Sequence, residues 1–191
     1  MADTVALTAP VLPRRRELLF GTAFATAGVL MVMVTLIGAY LAVRNAAGTA
    51  FLPENRIPLT QPTMMLLTIV MSVVTMQWAV YAISRDDRKH AYLALGVTLL
   101  LGFAFANQQT FLWKQAAVVL EKTGGALFYC VTGGSFAMVV VGMIFIALMA
   151  FRALGGQFDS RQPDGISAAA IFWYAAAAVY SVVWVAVYIM K

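Results

Sequence analysis

The chain has 191 residues, of which 62% are hydrophobic and only 11% are charged. Soluble domains average about 45–50% apolar and about 25% charged residues, and a soluble fold of this size cannot bury so much apolar surface. The composition therefore excludes a soluble domain and predicts an integral membrane protein. The net charge is +5, and the positive residues lie in short loops, where Lys and Arg usually set the orientation of a membrane protein. We therefore expect no nucleic-acid partner.

The hydrophobic runs predict an all-α bundle of five transmembrane helices that forms a single integral membrane domain over residues 1–191. Each span needs about 20 apolar residues, so the length accommodates five spans with short connections. In chain order, we expect a polar tail over 1–16 and spans over approximately 18–43, 63–84, 91–113, 126–151 and 166–190. The first apolar run exceeds the signal-peptide core of about 7–15 residues, which predicts an uncleaved first span.

Polar or helix-breaking segments separate these spans. A connection over 46–61 contains two prolines and two charges, and a dense charge cluster over 85–90 separates the second and third helices. We expect the pair Gly124-Gly125 to end the third helix, because glycine is a poor helix former. A polar loop over 152–165 then leads to the last span.

Lysine and arginine residues are unequally divided between the two sides of the predicted bundle. Eight lie on the side of the N-terminus and five lie on the other side. Cytoplasmic loops of membrane proteins carry the excess of these residues. We therefore expect a multi-pass protein of the cell (plasma) membrane with its N-terminus in the cytoplasm and its C-terminus outside.

The predicted spans lack the residues that membrane catalysis and transport require. No Asp, Glu, Lys or Arg lies in the middle of any span, whereas proton relays and ion pathways need ionisable groups at that depth. The one histidine, His90, lies in the charge cluster, which excludes two-histidine haem ligation and a histidine-rich copper or di-iron site within the chain. We therefore expect no catalytic, cofactor-binding or metal-binding residue, and a stand-alone channel or transporter is the weakest alternative.

Two groups of polar or aromatic residues inside the spans are candidates for contacts. The run Asn107-Gln108-Gln109 falls in the outer half of the bilayer, where uncovered amides are costly, so it should face another helix, a partner subunit or the headgroups. Aromatic residues of the last span recur in steps of seven, four and four, which places them on one helix face. That face is Trp173, Tyr180, Trp184 and Tyr188. We expect such a face to contact a partner or lipid.

Several short motifs resemble subunit III of the haem-copper respiratory oxidases (cytochrome c oxidase subunit III) in a five-helix form. The third span is similar to the pattern G-x-x-F-x-x-x-Q-x-x-E-W, and the fourth to T-G-x-H-x-x-H-V-x-x-G. The fifth span is similar to the family's W-H-x-x-D-x-x-W ending, and the first to Y-x-x-x-R. The matching residues are Tyr40, Arg44, Gly102, Phe105, Gln109, Trp113, Thr132, Gly133, Val139, Gly142, Trp173, Tyr180, Trp184 and Tyr188.

The departures from the family pattern all fall on ionisable positions. Leu112 stands in place of the third-helix glutamate, and Val29 lies near the position of the first-helix glutamate. The family's two fourth-helix histidines and its last-helix histidine and aspartate are also replaced. The replacing residues are Ser135, Met138, Tyr174 and Ala177. The chain thus matches the packing positions of the family and lacks its polar network.

The resemblance implies a non-catalytic accessory subunit of a respiratory oxidase in aerobic electron transport, which stabilises the complex and holds lipid. Haem and copper would belong to a partner catalytic subunit. The alternative is a scaffold or assembly subunit of another membrane enzyme, including a subunit III-like protein associated with nitric oxide reductase. The candidate partner or lipid contacts are Tyr40, Arg44, Asn107, Gln109, Trp113, Trp173, Tyr180, Trp184 and Tyr188.

Overall fold

The computed structural model describes residues 17–48, 51, 59–116, 118, 121, 123–155 and 164–190. Within these ranges the structure contains five long α-helices, the last of which continues as a π-helical segment, Trp184–Ile189. The helices are α1 (Glu17–Ala47), α2 (Thr60–Ser84), α3 (Arg88–Ala116), α4 (Thr123–Leu154) and α5 (Asp164–Val183). All five are long and apolar enough to cross a membrane, which confirms the predicted all-α bundle.

The helices extend beyond the apolar runs at most of their ends, and the connections between them are short. The charge cluster is divided, because α2 ends at Ser84 and Arg88 already belongs to the first turn of α3. The expected polar tail over 1–16 lies outside the described residues, as do 49–50 and 52–58 of the first connection and 156–163 of the last.

The prediction that Gly124-Gly125 ends the third helix is wrong. Helix α3 ends at Ala116, and both glycines lie in the first turn of α4. The physical reason is a tertiary contact, since a Cβ added at Gly124 would lie 2.3 Å from the backbone oxygen of Phe51. Glycine here lets the backbone of Phe51 approach the start of α4, so the glycine does not mark the end of a helix.

Helix α5 occupies the centre of the bundle. It packs against α1, α2 and α4, while α3 packs against α2 and α4. In the most apolar part of each helix, 56% of α5 is buried inside the chain compared with 22% of α1. The side chains at the outer surface include many large apolar groups, such as Phe24, Met31 and Leu100, as lipid contact requires.

Candidate partner and lipid site

The side chain of Trp173 lies at the point where four helices meet. The side chain is fully buried, and its indole Nε1 donates a hydrogen bond to the Ser72 Oγ of α2 at 3.0 Å. A Cβ added at Gly102 of α3 would lie 3.1 Å from ring atom Cη2, and one at Gly142 of α4 would lie 2.9 Å from Cε3. The two glycines therefore create the slot that the indole fills. We call Trp173, Ser72, Gly102 and Gly142 the Trp173 cluster.

Two turns further along α5, an aromatic pair continues this packing. The rings of Phe105 and Tyr180 meet edge to face with their centroids 4.8 Å apart, a favourable geometry for aromatic rings. The Tyr180 hydroxyl also donates a hydrogen bond to the backbone oxygen of Pro62, at 3.2 Å, near the start of α2. Tyr180 thus connects α5 to both α2 and α3.

Arg44 of α1 forms a hydrogen bond with the π-helical segment that continues α5. Its Nη1 donates a hydrogen bond of 3.0 Å to the backbone oxygen of Ala186. Carbonyl groups in the last turn of a helix lack partners within the helix and carry partial negative charge, so a guanidinium group is well suited to this position. Beside it, Tyr40 is buried and packs edge to face against Phe51 with ring centroids 5.2 Å apart.

Trp113 makes the corresponding link between α3 and α4. Its Nε1 donates a hydrogen bond to the Thr132 Oγ at 3.1 Å, and its ring meets that of Phe136 edge to face at 5.3 Å. The Thr132 hydroxyl in turn donates to the backbone oxygen of Phe128, at 2.7 Å. Trp113 and Thr132, from two separate motifs, are therefore direct partners.

Four of the six positions where the resemblance implies ionisable residues are filled by buried side chains, three of which are apolar. Leu112 and Met138 belong to the hydrophobic core, and Ala177 lies in the same core on α5. Ser135 is buried, and its hydroxyl donates to the backbone oxygen of Thr132 on the same helix at 2.9 Å. The interior at these positions holds no charge for a proton-linked network to use.

Tyr174, which stands where the family has a histidine, is also engaged within the chain. Its hydroxyl donates a hydrogen bond to the Gln77 Oε1 of α2, at 2.6 Å. Val29, near the position of the first-helix glutamate, packs against the core. These contacts are structural, since each joins helices of the same chain.

A few buried polar atoms have no hydrogen-bond partner among the described residues, and they lie in the second half of α3 and in the π-helical segment that follows α5. They are both amide atoms of Gln109, Oε1 of Gln108, Nε1 of Trp184 and the Tyr188 hydroxyl. The sequence predicts that the amides of α3 lie in the outer half of the bilayer. It does not predict that Gln108 and Gln109 have buried amide atoms whereas Asn107 is exposed.

The nine candidate contact residues divide into two groups. Five are buried inside the chain: Tyr40, Gln109, Trp173, Tyr180 and Tyr188. The other four, Arg44, Asn107, Trp113 and Trp184, are partly or fully exposed. The aromatic face of the last helix is directed mainly into the bundle, because α5 is the central helix. Contact of the nine residues with a partner or lipid stays a prediction.

An apolar groove runs between the first half of α1 and the second half of α4. Its volume is about 520 Å³, and its lining is almost entirely apolar. Small residues of α1, Gly21 and Ala25, form one wall, and Ile144, Leu148 and Phe172 contribute to the other. Sequence reasoning misses the groove because it depends on how two distant helices pack, although the small residues of α1 are a local signal of open space.

The described residues contain no group of three or more His, Cys, Asp or Glu side chains that could hold a metal ion. Many of their polar side chains form hydrogen bonds with helix backbones, with tryptophan and tyrosine, or with one another. This arrangement can hold the helices together, and the groove between α1 and α4 offers apolar space.

Comparison with known proteins agrees with the resemblance in the motifs. The sequence model of the family cytochrome c oxidase subunit III matches residues 41–191. The chain is 31% identical over 142 residues to cytochrome c oxidase subunit 3 of Tetraodon nigroviridis, covering 74% of this chain and 52% of that protein. For the subunit 3 of Coturnix japonica, identity is 32% over 127 residues, or 66% of this chain and 48% of that protein.

The same protein of Sus scrofa is 30% identical over 132 residues, covering 69% of this chain and 51% of that protein. The chain thus spans about half the length of the curated relatives it matches. The match covers α2 to α5 entirely and the end of α1, and it includes the Trp173 cluster. On this evidence, the chain belongs to the cytochrome c oxidase subunit III family.

Proposed function

We propose that the chain is a non-catalytic accessory subunit of a haem-copper respiratory oxidase, where it stabilises the complex and holds lipid. Membership of the subunit III family and the similarity to cytochrome c oxidase subunit 3 of other organisms support this assignment. The observation that carries it is the Trp173 cluster, in which Gly102, Gly142 and Trp173, all at positions that match the family motifs, pack together and the buried indole also bonds to Ser72 of a fourth helix. This packing is the part of the family pattern that the chain retains.

Buried apolar residues at three of the family's ionisable positions argue against a role in proton uptake at these positions. Because Leu112, Met138 and Ala177 lie in the core, proton uptake through these positions has no titratable group to use. Haem and copper belong to the partner catalytic subunit, and this chain contributes shape and apolar surface. We propose the plasma membrane as its location, with the N-terminus in the cytoplasm, from the excess of Lys and Arg on that side.

The groove between α1 and α4 is the place where we propose that lipid is held. An open apolar groove at membrane depth is a favourable site for an acyl chain, and this one has Glu17 at its end, where headgroups lie. Gly21 and Ala25 leave the space open, because neither has a side chain long enough to fill it.

Purification from native membranes tests the assignment to an oxidase. The affinity-tagged chain should recover a haem-copper catalytic subunit in stoichiometric amount, with a haem absorption spectrum and oxygen consumption. A matched control is the same tag on an unrelated multi-pass protein of the same membrane, which should recover neither. Recovery of the chain with a membrane enzyme that contains no haem-copper subunit would contradict the proposal.

Lipid retention is tested by filling the groove. Gly21→Leu should reduce the lipid that co-purifies with the protein, as measured by mass spectrometry of the lipid extract. Gly28→Leu is the matched control, because Gly28 lies seven residues further along α1, outside the lining, with open space at its Cβ position. Equal lipid content in the two variants would show that the groove does not hold lipid.

A second candidate is a scaffold or assembly subunit of another membrane enzyme, including nitric oxide reductase. The replacement of the ionisable positions by apolar residues favours it, since such a subunit needs the packing and not the polar network. The same purification separates the two, because a nitric oxide reductase partner would consume nitric oxide, and the oxidase partner would consume oxygen.

A further inference from the structure

The short turn between α2 and α3 carries a pocket that the function proposed above does not use. Its volume is about 380 Å³, within the range of about 300–1,000 Å³ that small-ligand sites occupy. Aromatic residues of α2, Trp78 and Tyr81, line one part, and Arg85, Asp87 and His90 line the other. The pocket is separate from the groove between α1 and α4, which is lined by other helices.

The position of the pocket along the helices places it at the level of lipid headgroups. Arg85 directly follows the last residue of α2, and Asp87 directly precedes the first residue of α3. Trp78 and Tyr81 lie one to two turns deeper and remain 39% and 51% exposed. Aromatic residues with one polar edge favour this boundary between hydrocarbon and water.

Arg85 is held in a geometry that suits an anion. Its guanidinium carbon lies 4.3 Å from the centre of the Tyr81 ring, within the range of a cation–π contact. A guanidinium group has five N–H donors, and their fork geometry matches the oxygens of a phosphate group. Two further cations, Arg88 and Lys89, follow in the first turn of α3.

The Asp87 carboxylate in the pocket forms two hydrogen bonds with His90. One Asp87 oxygen accepts from the His90 backbone N–H at 3.3 Å, and the other accepts from the ring Nδ1 at 2.6 Å. The backbone hydrogen bond is the main reason that the pKa of Asp87 lies below its usual value, with the ring bond adding to it. These contacts direct the carboxylate toward the start of α3, and the cations at 85, 88 and 89 outnumber the acids at 86 and 87.

We propose that this pocket binds the phosphate group of an anionic phospholipid, with Arg85 as the donor and Trp78 against the glycerol and upper acyl region. The positive balance of the turn favours an anionic lipid, because its net charge repels the cationic headgroup of a zwitterionic lipid. The site does not depend on which enzyme is the partner.

Titration of the delipidated full chain in detergent with phosphatidylglycerol tests the proposal by native mass spectrometry. Arg85→Gln should weaken binding at this site by about tenfold, as expected for loss of a charge-assisted contact. Arg85→Lys, which retains the charge, should weaken it less. The matched control is Arg152→Gln at the end of α4, also an exposed arginine, which should leave this affinity unchanged.

Two further measurements test whether the bound phosphate belongs to a lipid and whether the site prefers an anionic lipid. Phosphatidylcholine should bind more weakly than phosphatidylglycerol, and millimolar inorganic phosphate should fail to displace the lipid. Displacement by inorganic phosphate would overturn the assignment to a lipid. Equal affinity for the two lipids, or equal effects of Arg85→Gln and Arg152→Gln, would overturn the proposal as a whole.

Discussion

Three glycines of α4 differ in what a methyl group would meet, and they provide a graded test of the packing around Trp173. A Cβ at Gly142 would lie 2.9 Å from Cε3 of the Trp173 ring, and one at Gly133 would meet nothing within 4 Å. At Gly134 the contact is 2.8 Å, but it is with the sulfur of Met33. The methyl group of an alanine would therefore contact a rigid ring at Gly142, enter open space at Gly133 and contact a flexible side chain at Gly134.

The expected magnitudes follow from these contacts. Replacing glycine by alanine inside a helix stabilises it by about 0.5–1 kcal/mol, which is the whole effect expected for Gly133→Ala. Overpacking against a fixed group costs about 1–3 kcal/mol, and the Trp173 ring is fixed by its hydrogen bond to Ser72. We therefore expect Gly142→Ala to be destabilised by about 1–2 kcal/mol and Gly134→Ala to remain close to the unmodified protein.

Reversible unfolding in mixed micelles, followed by tryptophan fluorescence and circular dichroism, measures these differences in the free energy of unfolding. The reasoning predicts the stability order Gly133→Ala, then Gly134→Ala, then Gly142→Ala, with about 2 kcal/mol between the first and the last. Equal stability of Gly133→Ala and Gly142→Ala would refute it, because the indole would then not fill the slot beside Gly142.

Three further predictions concern other contacts of the bundle. Arg44→Gln should lower the free energy of unfolding by about 1–2 kcal/mol, since the Ala186 carbonyl loses a charged donor, and mixed-micelle unfolding measures the loss. Gln109→Leu should raise it by about 1 kcal/mol, because the amide has no partner among the described residues; a lower value would contradict this. His90→Ala removes the ring but keeps the backbone N–H, so it should raise the pKa of Asp87 only part of the way toward its usual value, measured by ¹³C NMR titration, and an unchanged pKa would show that the His90 ring does not stabilise the carboxylate. In the unmodified protein, any stability from this interaction is present above the ordinary pKa and is lost as the pH falls through the lowered one.

The five helices were predictable because hydropathy is a local property. A span requires a run of apolar residues, and each run can be recognised without knowing what it packs against. The glycine pair in the first turn of α4 was misassigned for the opposite reason. Glycine was interpreted as a local helix breaker, whereas Gly124 serves a contact with Phe51, more than seventy residues away in the chain.

The aromatic spacing in the last span predicted a shared helix face but not the neighbour of that face. Trp173 and Tyr180 do lie together, yet they contact α2, α3 and α4 because α5 is central, and centrality is a property of the whole packing. The pocket at the turn had one local signal, since Tyr81 and Arg85 are four residues apart and adjacent on a helix surface. Its depth and shape depend on the turn itself.

The most direct test of the central claim is a haem and metal analysis of the full chain expressed and purified on its own, beside the complex purified from native membranes. The account predicts a haem spectrum and stoichiometric copper in the complex, and neither in the isolated chain, whose apolar interior would brace the catalytic subunit. Stoichiometric haem, iron or copper retained by the isolated, folded chain would contradict it.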